Sequence, residues 1–119
     1  MKVVVIDTTV STGGTVTIVP PANPTVKRGE RIAWECEGFD IEIFFDPAKN
    51  QGLNPPHPFK TDGHIQGNAD DFHKRTVRAH TDHHPPSDNS VYKYTITLFR
   101  NNLLQATLDP VVIIQGDDK

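Results

Sequence analysis

The sequence is poor in sulfur. One cysteine and one methionine occur among 119 residues, so no disulfide can close within the chain and nothing requires an oxidising compartment. Long apolar runs are missing as well. Val3-Val4-Val5-Ile6 stops at Asp7, too short for the core of a signal peptide, and no segment approaches the roughly 20 apolar residues that cross a bilayer. A cytoplasmic location is the expectation. Charge of one sign is lacking too: 12 Lys and Arg stand against 15 Asp and Glu, a formal charge of −3, too small to mark a nucleic-acid or membrane surface. There is no phosphate loop or dinucleotide fingerprint. Ser87-Asp88 lies near His83 and His84, but no nucleophile-elbow glycines surround it. The carboxylate pairs Asp40/Glu42 and Asp70/Asp71 have no acid–base setting. The expectation is a protein that is not an enzyme.

Turn residues and short alternating stretches fill the chain instead. Ten prolines and eight glycines punctuate segments whose apolar residues recur every second position, the period of a half-buried strand. In Arg31-Ile32-Ala33-Trp34-Glu35-Cys36-Glu37, the residues Ile32, Trp34 and Cys36 share one face. Trp34 is the single tryptophan, and the core is expected to form around it. Phe39, Ile41, Ile43 and Phe45 alternate in the next stretch, and with Gly38 between them the two segments read as a hairpin.

Residues 1–10, Thr15–Val19 (Val16 and Ile18 inward), Thr25–Lys27, 72–79 and Ser90–Phe99 (Tyr92, Tyr94, Ile96 and Leu98 inward) read as further strands. Leu103–Thr107 pairs back after the Asn101-Asn102 turn. Val111–Ile114, apolar on both phases, belongs in the middle of a sheet. Residues 46–71 and 80–89 are turn-rich and read as long loops, the first with room for one helical turn and with Phe59 pinning it to the core. Seven to nine strands and no amphipathic helical stretch predict one antiparallel β-sandwich domain over 1–115, followed by a frayed tail over 116–119.

A strand ending in Val19-Pro20, followed by Val26-Lys27-Arg28-Gly29-Glu30-Arg31-Ile32-Ala33-Trp34, resembles the opening half of cupredoxin-like domains, in which such a run joins the two sheets of a Greek-key sandwich. The resemblance covers about a third of the chain and implies that fold. It does not carry the family's blue-copper chemistry, which needs two histidines, a cysteine and a weak axial ligand. Glu35-Cys36-Glu37-Gly38 stands where the first histidine is expected, and the late strand runs into Leu98-Phe99-Arg100-Asn101-Asn102 without a ligand. Cys36, in phase with Trp34, reads as a small core residue.

Two sets of residues remain as functional candidates. His80, His83 and His84, with Asp82 among them and His57, His64 and His73 elsewhere, offer imidazoles for zinc or copper. The alternative is a solvated loop with incidental histidines. Lys74, Arg75 and Arg78 read either as an anion-binding ribbon or as the charged guard of an edge strand. The second set is Pro56, His57 and Phe59 in the first loop, with Phe44 and Phe99 on the outward phase of their strands. Prolines lower the cost of ordering a loop and aromatics anchor a partner. The expected function is therefore a non-catalytic interaction module that binds another protein through its loops, with self-association as a further option. A metal-binding protein using the histidine loop is the alternative.

Overall fold

Alternation in the sequence is matched by alternation in burial. The structure, a computed structural model, describes residues 2–20, 23–27, 30–53, 56–59, 63–67 and 90–115 and the backbone of 73–76. It is an all-β, sandwich-like fold. The described residues form twelve strands and one 3-10 turn at Pro47–Lys49. The strands are β1 (Lys2–Val5), β2 (Asp7–Val10), β3 (Val16–Val19), β4 (Thr25–Lys27), β5 (Arg31–Glu35), β6 (Asp40–Phe44), β7 (His64–Gly67), β8 (His73–Thr76), β9 (Ser90–Lys93), β10 (Thr95–Arg100), β11 (Leu103–Leu108) and β12 (Val111–Gln115). They make sheets ordered β1-β5-β8, β11-β10-β6-β7 and β4-β12-β9, with β2 and β3 as a hairpin whose second strand runs beside β11.

The strand count exceeds the expected seven to nine because two long strands each change partners partway and because β7 forms inside the stretch 46–71. The first breaks at Ile6: β1 pairs with β5, while β2 pairs with β3. The other breaks at Tyr94, so that β9 pairs with β12, and β10 with β6 and β11. A strand that turns a corner between sheets keeps its side-chain alternation. Tyr92, Tyr94, Ile96 and Leu98 are accordingly all buried, on either side of the break.

Three expectations need correction. The sheets are not purely antiparallel, since β1 runs parallel to β5 and β4 parallel to β12. The tryptophan strand and the next strand do not form a hairpin. β5 has β1 on one side and β8 on the other, and Ala33 is as buried as Trp34, which makes β5 a central strand with both edges taken. Gly38, at φ +83°, instead turns the chain over to the sheet that holds β6. The stretch 46–71 is also not one loop, because β7 pairs with β6 within it. Its only inward apolar residue is Ile65, too little for a periodic signal.

Other expectations hold. β11 folds back on β10, and β12 lies between β4 and β9. Trp34 is fully buried, its Nε1–H donating to Tyr94 Oη at 3.2 Å. Phe59 packs edge-on to it at 6.0 Å, and Phe45 stacks on Tyr94 at 5.0 Å. Burying such rings contributes on the order of 2–3 kcal/mol each, so this aromatic group fixes the centre of the core. Burial holds the Tyr94 hydroxyl above its ordinary pKa of about 10. No described helix is long and apolar enough to cross a membrane.

Candidate binding face

Residues on the outward phase of the four-stranded sheet form a grid set by strand register. One row runs Leu104, Phe99, Asp40, the next Thr107, Thr97, Glu42, Gln66, and a third Thr95, Phe44, His64. Cross-strand neighbours in such rows lie about 5 Å apart, close enough for side chains to interact directly. The inward phase of the same strands, Ile41, Ile43, Ile65, Ile96 and Leu98, is buried. Core burial therefore anchors the grid from below.

Glu42 is the ordered centre of this face. Its Oε2 accepts from Gln66 Nε2 at 2.8 Å and meets His64 Nε2 at 3.1 Å. The Gln66 bond, then the His64 bond, hold the Glu42 carboxyl below its ordinary pKa of about 4.5, since hydrogen bonds to the ionised form favour it. The ring of Phe44 meets the His64 ring edge-on at 5.7 Å, so Phe44, 40% exposed, is steadied from one side. Beside Glu42 is a hollow of about 260 Å³ lined by Asp40, Glu42, Gln66, Gly67, Phe99 and Asn102. Asn101 and Asn102, at φ 53° and 62°, make the tight β10–β11 turn at its rim; asparagine is among the few non-glycine residues that adopt such angles readily.

The structure divides the candidate residues named from sequence. Phe44 and Phe99 both face outward, but they are not one patch. Phe44 lies opposite Thr95 and Phe99 opposite Asp40, which separates them by four residues along the strands, about 13 Å, with Glu42 and Thr97 in the row between. As a partner anchor Phe59 is a correction: it is fully buried against Trp34 and Phe45, because a ring that large gains more in the core than in water. It pins the loop, as expected, and is not offered to a partner.

Pro56 and His57 are half-buried beside Phe59. His57 Nδ1 accepts from the Phe59 backbone N–H at 3.3 Å, and the two rings stack at 6.2 Å. His80, His83 and His84 lie outside the described residues, as does Arg78. Among the described residues no three metal-ligating side chains come together. Cys36 is buried, and burial, then the nearby Asp7 charge, push its thiol up to about 11.

Sequence reasoning missed His64 and Gln66 as members of the face. The local pattern there, His64-Ile65-Gln66 between Gly63 and Gly67, is three residues, too short to mark a strand, and it acquires a role only once β7 is paired with β6.

No protein-family model matches this chain, and no curated protein is similar enough to it to count as a relative.

Proposed function

We propose that this protein is a non-catalytic interaction module that presents the outer face of β11-β10-β6-β7 to a protein partner. The observation that carries the reading is the row structure of that face. A carboxylate already held in place by Gln66 and His64 sits between two outward aromatic rings, on strands whose other side is core. Recognition surfaces fixed by a rigid scaffold lose little entropy when they bind, and aromatic anchors ringed by polar groups are where binding energy concentrates. The reading keeps the partner class expected from sequence but moves the surface from the loop tips to the sheet, since Phe59 ties the first loop inward.

The same proposal takes the fold to be cupredoxin-like. What supports it is that the run from Val26 to Trp34 leads from β4, in one sheet, to β5, in another, as such a run does in that family.

The test compares affinity capture by the native protein, by a Glu42→Gln/Phe44→Ala variant, and by a control, Thr25→Ala, at an exposed position of the β4-β12-β9 sheet. Each protein retained is then purified and its affinity for all three is measured. A purified partner bound by the native and control proteins and lost with the face variant supports the reading. If every purified partner binds the face variant as well as the native protein, or none binds at all, the reading is overturned.

A further inference from the structure

We propose that the open edge of β1 takes an extended segment of a partner protein as an added strand. The edge is a different part of the molecule from the face of β11-β10-β6-β7, and the inference does not depend on that face.

The direction of the peptide groups carries the argument. Successive residues of a strand aim their N–H and C=O groups to opposite sides. Ile6 N–H donates to Glu35 O at 2.9 Å, so in the parallel register of β1 on β5 the groups of Val4 and Ile6 face β5. Those of Val3 and Val5 face the other way. β1 is the end strand of its sheet, and on that side β3 begins to pair only at Asp7, opposite Val19. The chain goes on as Pro20-Pro21, two residues without the N–H that a longer ladder needs. Among the described residues nothing bonds to the Val3 and Val5 peptide groups on the open side. Two donors and two acceptors thus repeat at about 7 Å, the two-residue period of a strand.

The space beside them suits a strand. A groove of about 460 Å³ follows this edge, with Lys2, Val3, Val5 and Asp7 on one side and Pro20 and Pro24 on the other. On the outer phase Val3 is 40% and Val5 53% exposed, and no charge stands between Lys2 and Asp7. Edges that stay unpaired are guarded by charges, prolines or bulges along the strand, and the run Val3-Val4-Val5 has neither charge nor proline. An extended peptide supplies the matching donors and acceptors, and apolar residues at its alternate positions continue the Val3 and Val5 row. A second copy of β1 fits worse, because its own Pro20 and Pro24 stand beside the very edge that it would offer. Lys2 and Asp7, near the two ends of the groove, favour a segment with an acidic residue by Lys2 and a basic one by Asp7.

The probe is acetyl-Lys-Thr-Val-Thr-Val-Thr-Glu-amide. In antiparallel pairing it sets its valines opposite Val5 and Val3, its lysine towards Asp7 and its glutamate towards Lys2. It is titrated into the isotopically labelled full chain and followed by backbone amide shifts and amide hydrogen exchange. Two further peptides are N-methylated, one on both valines, which removes the donors aimed at β1, the other on two threonines, which removes donors on the far edge. Saturable shifts centred on Val3 and Val5 are expected, with exchange at these two amides slowed towards that of Val4 and Ile6. The valine-methylated peptide should bind at least about tenfold more weakly, having lost two backbone hydrogen bonds, and the threonine-methylated one within about threefold of the parent. Val5→Pro removes one outward N–H and spares the ladder to β5, so it should lose the same binding. The methylated peptides are compared on the native protein, so their result stands whether or not that variant folds. Equal binding of the two methylated peptides, shifts centred elsewhere, or no shifts overturn the proposal. So does a dimer in sedimentation whose Val3 and Val5 amides are protected without the probe, since a second copy would then hold the edge.

Discussion

The side-chain amide of Asn50 and the peptide of Lys93 exchange two hydrogen bonds, each 2.8 Å long. Asn50 donates through Nδ2 to the Lys93 carbonyl and accepts the Lys93 N–H on Oδ1. Lys93 is the last residue of β9, immediately before the chain changes sheets at Tyr94. At that corner a strand partner is lost on one side, and a buried backbone group without a partner is costly. Asn50, itself buried, supplies donor and acceptor in the spacing a neighbouring strand would. Asn50→Ala should therefore lower stability by about 2–3 kcal/mol, since it strands both Lys93 groups. Urea unfolding followed by Trp34 fluorescence checks it; a midpoint within error of the native value would contradict the role.

The Trp34–Tyr94 bond offers a second stability test. Tyr94→Phe keeps the ring that stacks on Phe45 and removes only the hydroxyl that accepts from the indole N–H. A buried donor left unpaired costs about 1–3 kcal/mol, so the variant should unfold at lower urea with an unchanged slope. Trp34→Phe, which also removes ring area from the middle of the core, should cost more than Tyr94→Phe.

Cys36 should be inert in the folded protein. Its thiol is buried and pushed up to about 11, so little thiolate, the reactive form, exists near neutrality. Labelling by a disulfide reagent at pH 8 should be slow in buffer and rapid in concentrated urea. Equal rates in the two conditions would show that the thiol is reachable.

Acid stability should depend on Glu42. Its folded pKa lies below the ordinary 4.5 because Gln66 and His64 donate to its charged form. The stabilisation is complete above 4.5 and is lost as the pH falls through the lowered folded value. Asp109 acts in the same direction, held down by Thr95 first and then Lys49. Urea midpoints measured from neutrality into acid should decline below about pH 4.5. In Glu42→Gln the decline should be shallower. An identical profile would mean that the Glu42 bonds contribute nothing in solution.

Gly63 closes the first loop against the core. A Cβ there would come within 2.9 Å of His57 Cβ and 3.1 Å of Phe45 Cβ, and the Gly63 carbonyl accepts from Phe45 N–H at 3.0 Å. Gly63→Ala should destabilise by about 1–3 kcal/mol through overpacking. Gly52→Ala meets no atom within 4 Å and is opposed only by its φ of +88°, so it should cost about 1 kcal/mol. Thermal unfolding of the two variants side by side reads the difference.

The inward residues were legible wherever alternation was strict. Ile32, Trp34, Ile41, Ile43, Tyr92, Ile96 and Leu98 were each assigned to the core from spacing alone, and each is buried. Strand pairing was less legible. The β5–Gly38–β6 stretch has the local pattern of a hairpin, and only competition from β1 and β8 for the edges of β5 removes that option. β7 was invisible for a related reason: one isoleucine between two polar residues carries no period.

Of the candidate site, Phe44, Phe99, Asp40 and Glu42 could be placed on an outward phase from sequence, because phase is a property of one strand. That Glu42 meets His64 and Gln66, 22 and 24 residues away, and that Phe44 and Phe99 lie rows apart, depends on register between strands. Which side of each strand faces the core follows from covalent geometry, since successive side chains point oppositely. Which strands become neighbours follows from how the whole chain fills its core and satisfies its backbone. The sequence by itself determined an all-β chain with an indole at its centre, while tertiary packing alone decided the corners, the parallel pairs and the face on which Glu42 is held.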